Sequence, residues 1–122
     1  ALTNIYSKTH RFLIDLNMDF LRYCATQLGV DTPVLKASSY PAKGTKSIKL
    51  LELVNAVDGS VYLTGTGSRD YLDEKIFLDA GVEVKWQEYE TSIYPQLYGE
   101  FEKMLSVLDY LMVSPEPYDI LL

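Results

Sequence analysis

Cysteine and histidine are nearly missing. Cys24 is the one thiol among 122 residues and His10 the one imidazole. A lone thiol forms no internal disulfide, which fits a reducing, cytoplasmic setting. One cysteine and one histidine supply neither a Cys/His zinc site nor an internal Cys-His nucleophile pair, so no metal and no cofactor are expected. Cys24 falls in an apolar helical pattern and is expected to be a buried, inert thiol. His10 lies at the polar beginning of that segment, where a solvated side chain is expected. Bases are also short: eleven against seventeen acids, a net charge of −6. That balance excludes nucleic-acid binding through a global basic face. No apolar run approaches the ~20 residues of a membrane span.

What is present is enough for a core. Apolar residues make up 48% of the chain, and a chain of this length buries about two thirds of its unfolded surface. One domain over residues 1–122 is expected. Ten tyrosines are many for this length. Each combines an apolar ring with a hydroxyl, which suits sugar or base contacts as well as packing.

The stretch from Ser60 to Gly81 organises the rest. Val61-Tyr62-Leu63 reads as a buried strand. It stops at Gly65-Thr66-Gly67, where two glycines permit backbone angles that a β-carbon forbids. Ser68 follows as a candidate helix N-cap, with Asp70 and Asp73 as alternatives. Leu72, Ile76 and Ala80 recur at helical spacing, and Gly81 ends the helix. In open α/β sheets a turn of this kind lies at the carboxyl end of a strand, where ligands bind. Free amides there suit an anion. The motif is neither G-x-G-x-x-G nor a Walker A loop.

Before this stretch, residues 2–28 read as helix, with Thr9 capping a restart and Leu13, Leu16, Phe20, Cys24 and Leu28 forming an apolar stripe closed by Gly29. Val34-Leu35 with Ala37 reads as a short strand. Thr45 is placed to cap a helix carrying Ile48, Leu51 and Val54 on one face, and Asp58-Gly59 ends it. Residues 36–51 hold Lys36, Lys43, Lys46 and Lys49 without an acid. In a right-handed βαβ unit those lysines and the glycine turn leave neighbouring strands at one sheet edge, which suits a phosphate or a nucleotide-sugar diphosphate.

After it, Val82, Val84 and Trp86 alternate with Glu83, Lys85 and Gln87 as a half-exposed strand. Residues 91–99 are irregular around Pro95. Leu105, Leu108 and Leu111 mark a last helix, ended by Pro115 and Pro117. Ile120-Leu121-Leu122 is apolar enough to dock on the domain or on a second chain. The order α, β, α, β, α, β, α predicts a small three-layer α/β domain with a short parallel sheet of about three strands flanked by helices. Further strands are expected from an N-terminal half or from a partner, and homo-oligomerisation is one route.

At this point a resemblance emerges. Lys46-Ser47 with Leu50-Leu51-Glu52-Leu53, Tyr62 to Phe77 (YLTGTGSRDYLDEKIF), Gly81 to Val84, Tyr94-Pro95-Gln96-Leu97-Tyr98-Gly99 and Leu105 to Asp109 resemble the C-terminal half of the WbqC-like proteins. The resemblance implies that the chain is the C-terminal part of a longer protein. The family's N-terminal half usually opens on a motif like H-Q-P-x-Y-L-P, which is absent here. It further implies a role in bacterial surface-polysaccharide, lipopolysaccharide and O-antigen biosynthesis, with transfer of an acyl or aminoacyl group to a nucleotide-linked amino sugar. Gly65, Thr66, Gly67, Ser68, Arg69 and Tyr71, with Lys43, Lys46, Tyr94 and Gln96, are then ligand-binding candidates. Asp73, Asp109 and Ser68 are the weak catalytic candidates, Ser68 having no histidine base in view. The other reading is a non-catalytic binding or assembly module, with Tyr94-Pro95-Gln96 and the apolar tail as a partner surface.

Overall fold

The structure, a computed structural model, describes residues 2–113. Its elements are α1 (Leu2–Tyr6), α2 (Leu13–Gln27), α3 (Lys46–Asn55), β1 (Val61–Gly65), α4 (Glu74–Asp79), β2 (Glu83–Gln87) and α5 (Val107–Val113). Single 3-10 turns occupy Ala37–Ser39 and Thr66–Ser68. The chain divides into two compact units. One is Val34–Glu90; the other joins the segment before Val34 to the segment after Glu90. The chain belongs to the small α/β class expected.

In Val34–Glu90 the two strands run parallel, Val61 opposite Glu83 through Gly65 opposite Gln87. Parallel strands need a crossover, and α4 provides it. The crossover turns back because Gly81 adopts φ +74°, a left-handed position that glycine enters without steric cost. The Val82 amide then donates to the Phe77 carbonyl at 2.9 Å. Leu72, Phe77 and Val82 form the core, with Phe77 fully buried. Leu50, Leu51 and Val54 of α3, Ile76 of α4, and Tyr62, Val84 and Trp86 of the strands pack around them. The Tyr62 and Phe77 rings stack at 5.1 Å between centroids.

Two strands stand here among the described residues, fewer than the three expected. Val34-Leu35 is not a strand. Lys36 is extended, but Ala37–Ser39 closes into a turn and both apolar side chains are exposed. Ser38, Ser39 and Pro41 favour turn over ladder geometry, and Tyr40 is extended, as a residue before proline must be. Val61 and Leu63 are also exposed, so β1 is half-buried rather than buried. The cause is one-sided packing. Tyr62, Thr64, Val84 and Trp86 point inward, and the alternate residues of both strands face out.

In the other unit the N-terminal helix is broken. The second helix starts at Leu13, with Phe12 rather than Thr9 at the cap position and no side-chain capping bond. At the break, residues 8–10 are held to Asp19 on α2. Its carboxylate accepts bonds from Lys8 Nζ at 2.7 Å and His10 Nε2 at 3.2 Å, which fold residues 8–10 across the helix. His10, expected in solvent, keeps 14% of its side chain exposed. Lys8, with His10 after it, lowers the Asp19 pKa. Tyr6 meets Phe20 edge-on at 5.1 Å, tying α1 to α2. Gly29, at φ +64°, ends α2 as expected. Ser106 Oγ accepts the Leu108 amide and begins α5, which buries Tyr110. Pro115, Pro117 and the tail through Leu122 lie outside the described residues.

Candidate functional site

The turn after β1 leaves at the carboxyl end of a parallel strand, as its sequence implies. Its conformation differs from the expectation. Gly65 has φ −78°, and Gly67 is not among the glycines with positive φ. Neither glycine is required by backbone strain. What the two have in common is open space: a Cβ added to either meets nothing within 4 Å. The 3-10 turn directs the Arg69 amide to the Thr66 carbonyl at 3.2 Å.

A chain of hydroxyls crosses this turn. Thr64 Oγ1 donates to Ser68 Oγ at 3.2 Å, and Ser68 Oγ lies 3.0 Å from the Tyr71 hydroxyl. Arg69 lies over the Trp86 ring at 5.3 Å and donates to Glu88 Oε1 at 3.1 Å. Thr64, Trp86 and Glu88 were not singled out from sequence. The i, i+4 spacing of Thr64 and Ser68 was a usable signal; the Arg69 partners, on the neighbouring strand and just past it, left none.

Asp73 has a structural task. It occupies the N-cap of α4, its carboxylate accepting the Lys75 amide at 3.1 Å, so neither Ser68 nor Asp70 caps that helix. The Asp73 amide donates to Ser47 Oγ at 3.0 Å, and Ser47 is buried. Thr45 holds the cap position of α3 without a side-chain capping bond. Gly44, beside it, has a positional reason: a Cβ there would lie 2.6 Å from Ile48 Cγ2. Its amide donates to Glu52 Oε2 at 2.9 Å. Lys43 and Lys46 are exposed, and no hydrogen bond or ion pair ties them to the glycine turn. The sheet edge invoked for them lacks its first strand, since residues 34–37 are not one.

A second polar cluster lies in the other unit and joins three residues named from sequence. Asp109 Oδ2 accepts from the Tyr94 hydroxyl at 2.8 Å and from Gln96 Nε2 at 3.5 Å. Gln96 also grips the backbone of Glu102, donating to its carbonyl at 3.0 Å and accepting its amide at 2.8 Å. Tyr94 meets Phe101 and Tyr110 edge-on. In the same unit a groove of about 410 Å³ runs between α2 and α5, lined by Phe20, Leu21, Cys24, Ser106 and Val107 among others. Cys24 is half-buried, and desolvation raises its thiol pKa, which disfavours the reactive thiolate. The candidates thus fall into two sets: residues 43–73 in one unit, and Tyr94, Gln96 and Asp109 in the other. Among the described residues no group of three His, Cys, Asp or Glu is set to hold a metal, and no helix is long and apolar enough to cross a membrane.

The sequence as a whole matches the model of the WbqC-like protein family over residues 1–118. The chain belongs to the WbqC-like family. It is 32% identical over 123 residues to the uncharacterized protein Rv1507c of Mycobacterium tuberculosis, covering 98% of this chain and 53% of that protein. The chain therefore spans about half the length of this curated relative. No solved structure matches it.

Proposed function

We propose that this WbqC-like chain binds a nucleotide-linked amino sugar in cytoplasmic steps of bacterial surface-polysaccharide and O-antigen biosynthesis, as part of an acyl- or aminoacyl-transferase. One observation carries the reading. At the carboxyl end of a parallel strand, two glycines leave open space beside the backbone amides of the turn and the Ser68 and Tyr71 hydroxyls. Those amides suit diphosphate oxygens, and the hydroxyls suit a sugar. Arg69, held in place over Trp86, is the cation beside the turn, and the exposed Lys43 and Lys46 of the same unit add positive charge to it. Of the two aspartates, Asp73 shares the unit of the glycine turn, and its carboxylate caps α4. Ser68 is assigned to binding, since its partners are hydroxyls and the one imidazole pairs with Asp19.

The alternative, a non-catalytic binding or assembly module, is favoured by a different observation. Tyr94 and Gln96 spend their polar atoms within the unit, and the loop that they hold presents Leu97 and Tyr98 to solvent.

Thermal shift of the purified chain against a panel of nucleotide sugars tests the first reading. A ligand at about a hundred times its Kd adds ~2.7 kcal/mol of stability. Gly67→Val is the decisive variant. Ordinary φ and open space around Gly67 let it fold, while the branched side chain fills the approach. Circular dichroism checks the fold. The shift is expected to vanish in Gly67→Val and to shrink in Lys46→Ala. A full shift in folded Gly67→Val would move the site elsewhere.

A further inference from the structure

Arg69 is the first residue after the 3-10 turn, and it is held from the neighbouring strand. The parallel register sets Trp86 beside Thr64 and Gln87 beside Gly65, so Glu88 follows just past the carboxyl end of β2. The Arg69 guanidinium lies over the Trp86 ring at 5.3 Å from its centroid, and Nη2 donates to Glu88 Oε1 at 3.1 Å. The two contacts differ in kind. Trp86 is half-buried and packs against the core of the unit, which makes it a fixed platform. It attracts the cation by charge and uses up no N–H donor. Glu88 takes one donor through one oxygen, and its side chain is 75% exposed.

An ion pair of that exposure is weak. Pairs of exposed side chains are closed only about one to five times as often as they are open. Glu88 therefore steadies Arg69 without consuming it. A phosphate competes on better terms, because it carries more charge than a carboxylate and engages two N–H groups of a guanidinium at once. Trp86 keeps the guanidinium in place while the anion changes, so the exchange costs little side-chain entropy.

We propose that Glu88 is the displaceable counter-ion of Arg69: it holds the guanidinium until the ligand arrives and then gives way to a pyrophosphate, with Trp86 as the positioning residue. This rests on the reading of the glycine turn as a nucleotide-sugar site and adds what sets that site's affinity. While the pair is closed the arginine is unavailable, and the apparent affinity falls in proportion to the open fraction. The carboxylate thus lowers affinity for every anion by one factor, which a pyrophosphate tolerates because the turn amides hold it as well.

Trp86 is the one tryptophan, so its emission reports the exchange directly. Inorganic pyrophosphate is titrated into the full chain and followed by Trp86 fluorescence. Calorimetry repeats the titration with nucleotide sugars, and circular dichroism is the folding control. Pyrophosphate is expected to shift the emission and to bind about two- to sixfold more tightly to Glu88→Gln than to the wild type. Glu83→Gln, at the other end of β2 and beyond a Debye length, is expected to change nothing. In an Arg69→Gln background the gain from Glu88→Gln is expected to vanish, because the double-mutant cycle isolates the pair. A gain of the same size without Arg69 overturns the proposal, since the carboxylate then acts through general charge. Unchanged pyrophosphate affinity in folded Glu88→Gln overturns it too. If nucleotide sugars bind the wild type and Glu88→Gln equally, the counter-ion role falls and the nucleotide-sugar reading stands. If Glu88→Gln tightens pyrophosphate while no nucleotide sugar binds, the counter-ion role stands and that reading falls. No binding of either ligand at millimolar concentration, in both folded proteins, overturns both.

Discussion

In Val34–Glu90 the interior is apolar. Phe77 is wholly buried, stacked on Tyr62 and enclosed by Leu72, Val82 and the inner face of α3. In the segments before Val34 and after Glu90, few side chains are buried: Ile5, Met18 and Tyr110 among the described residues. There, side-chain hydrogen bonds hold the loops instead, Asp19 gathering Lys8 and His10, and Gln96 and Tyr94 meeting at Asp109. The contrast shows two ways to fix a small unit. Apolar burial is non-directional and tolerates sequence change of similar volume. Hydrogen-bonded clasps fix loop geometry at individual atoms, and each contributes only about 0.5–1.5 kcal/mol net.

The contrast breaks most visibly at Phe77. Phe77→Ala is expected to cost about 3–5 kcal/mol in urea unfolding, through lost transfer energy and the cavity left behind. A loss below ~1 kcal/mol, within the range of surface changes, would mean that the apolar unit is not cored as described. Gln96→Ala is expected to have a smaller effect on stability, about 1–2 kcal/mol, because the Glu102 amide and carbonyl then turn to water. Its larger signature is local: chymotrypsin is expected to cleave at Tyr98 faster than in the wild type. Unchanged cleavage would show that the clasp does not hold the loop.

Asp19→Asn has the smallest expected effect, confined to acid. The Asp19 carboxyl titrates below its usual 3.8 because the folded state supplies Lys8 and His10 as hydrogen-bond partners. A depressed folded-state value stabilises the fold above the unfolded value. That contribution is lost as pH falls from about 4 through the folded value. Melting curves from pH 6 down to about 2.5 are expected to fall less steeply for Asp19→Asn than for the wild type. Parallel acid limbs would remove Asp19 from the account.

The region from Ser60 to Gln87 was the most legible in the sequence, because its signals are local. Alternation marks β2, apolar spacing marks α4, and Gly81 terminates that helix at a positive φ. The Val34 segment illustrates the converse: a short apolar run looks the same whether a neighbour pairs with it or not. The segment before α2 is tied to Asp19, nine residues beyond His10, and no helical period encodes that bond. At the site, the place of the glycine turn was legible but the reason for its glycines was not. Sequence marks glycine for its angles, whereas here open space distinguishes Gly65 and Gly67. Asp109 was read beside Tyr94 and Gln96 through a family pattern, and the structure brings all three together. The Asp73 carboxylate caps a helix, a task left open in the sequence among Ser68, Asp70 and Asp73.

The bond from the Asp73 amide to Ser47 Oγ spans 26 residues, and it bears on the order in which Val34–Glu90 assembles. The fourth helix has six residues, far short of the ~12–15 at which an isolated helix becomes even marginal in water. It therefore forms only against something already present, and the ten-residue α3 is the longest helix of that unit. The Ser47 hydroxyl fixes the chain just ahead of Glu74, where the Asp73 carboxylate can then cap the new turn. Pairing of β2 with β1 comes through that helix, since the strands have no shorter connection. Docking of α3, capping of α4 and the parallel ladder thus depend on one another, since α4 is too short to stand alone and the strands are joined only through it.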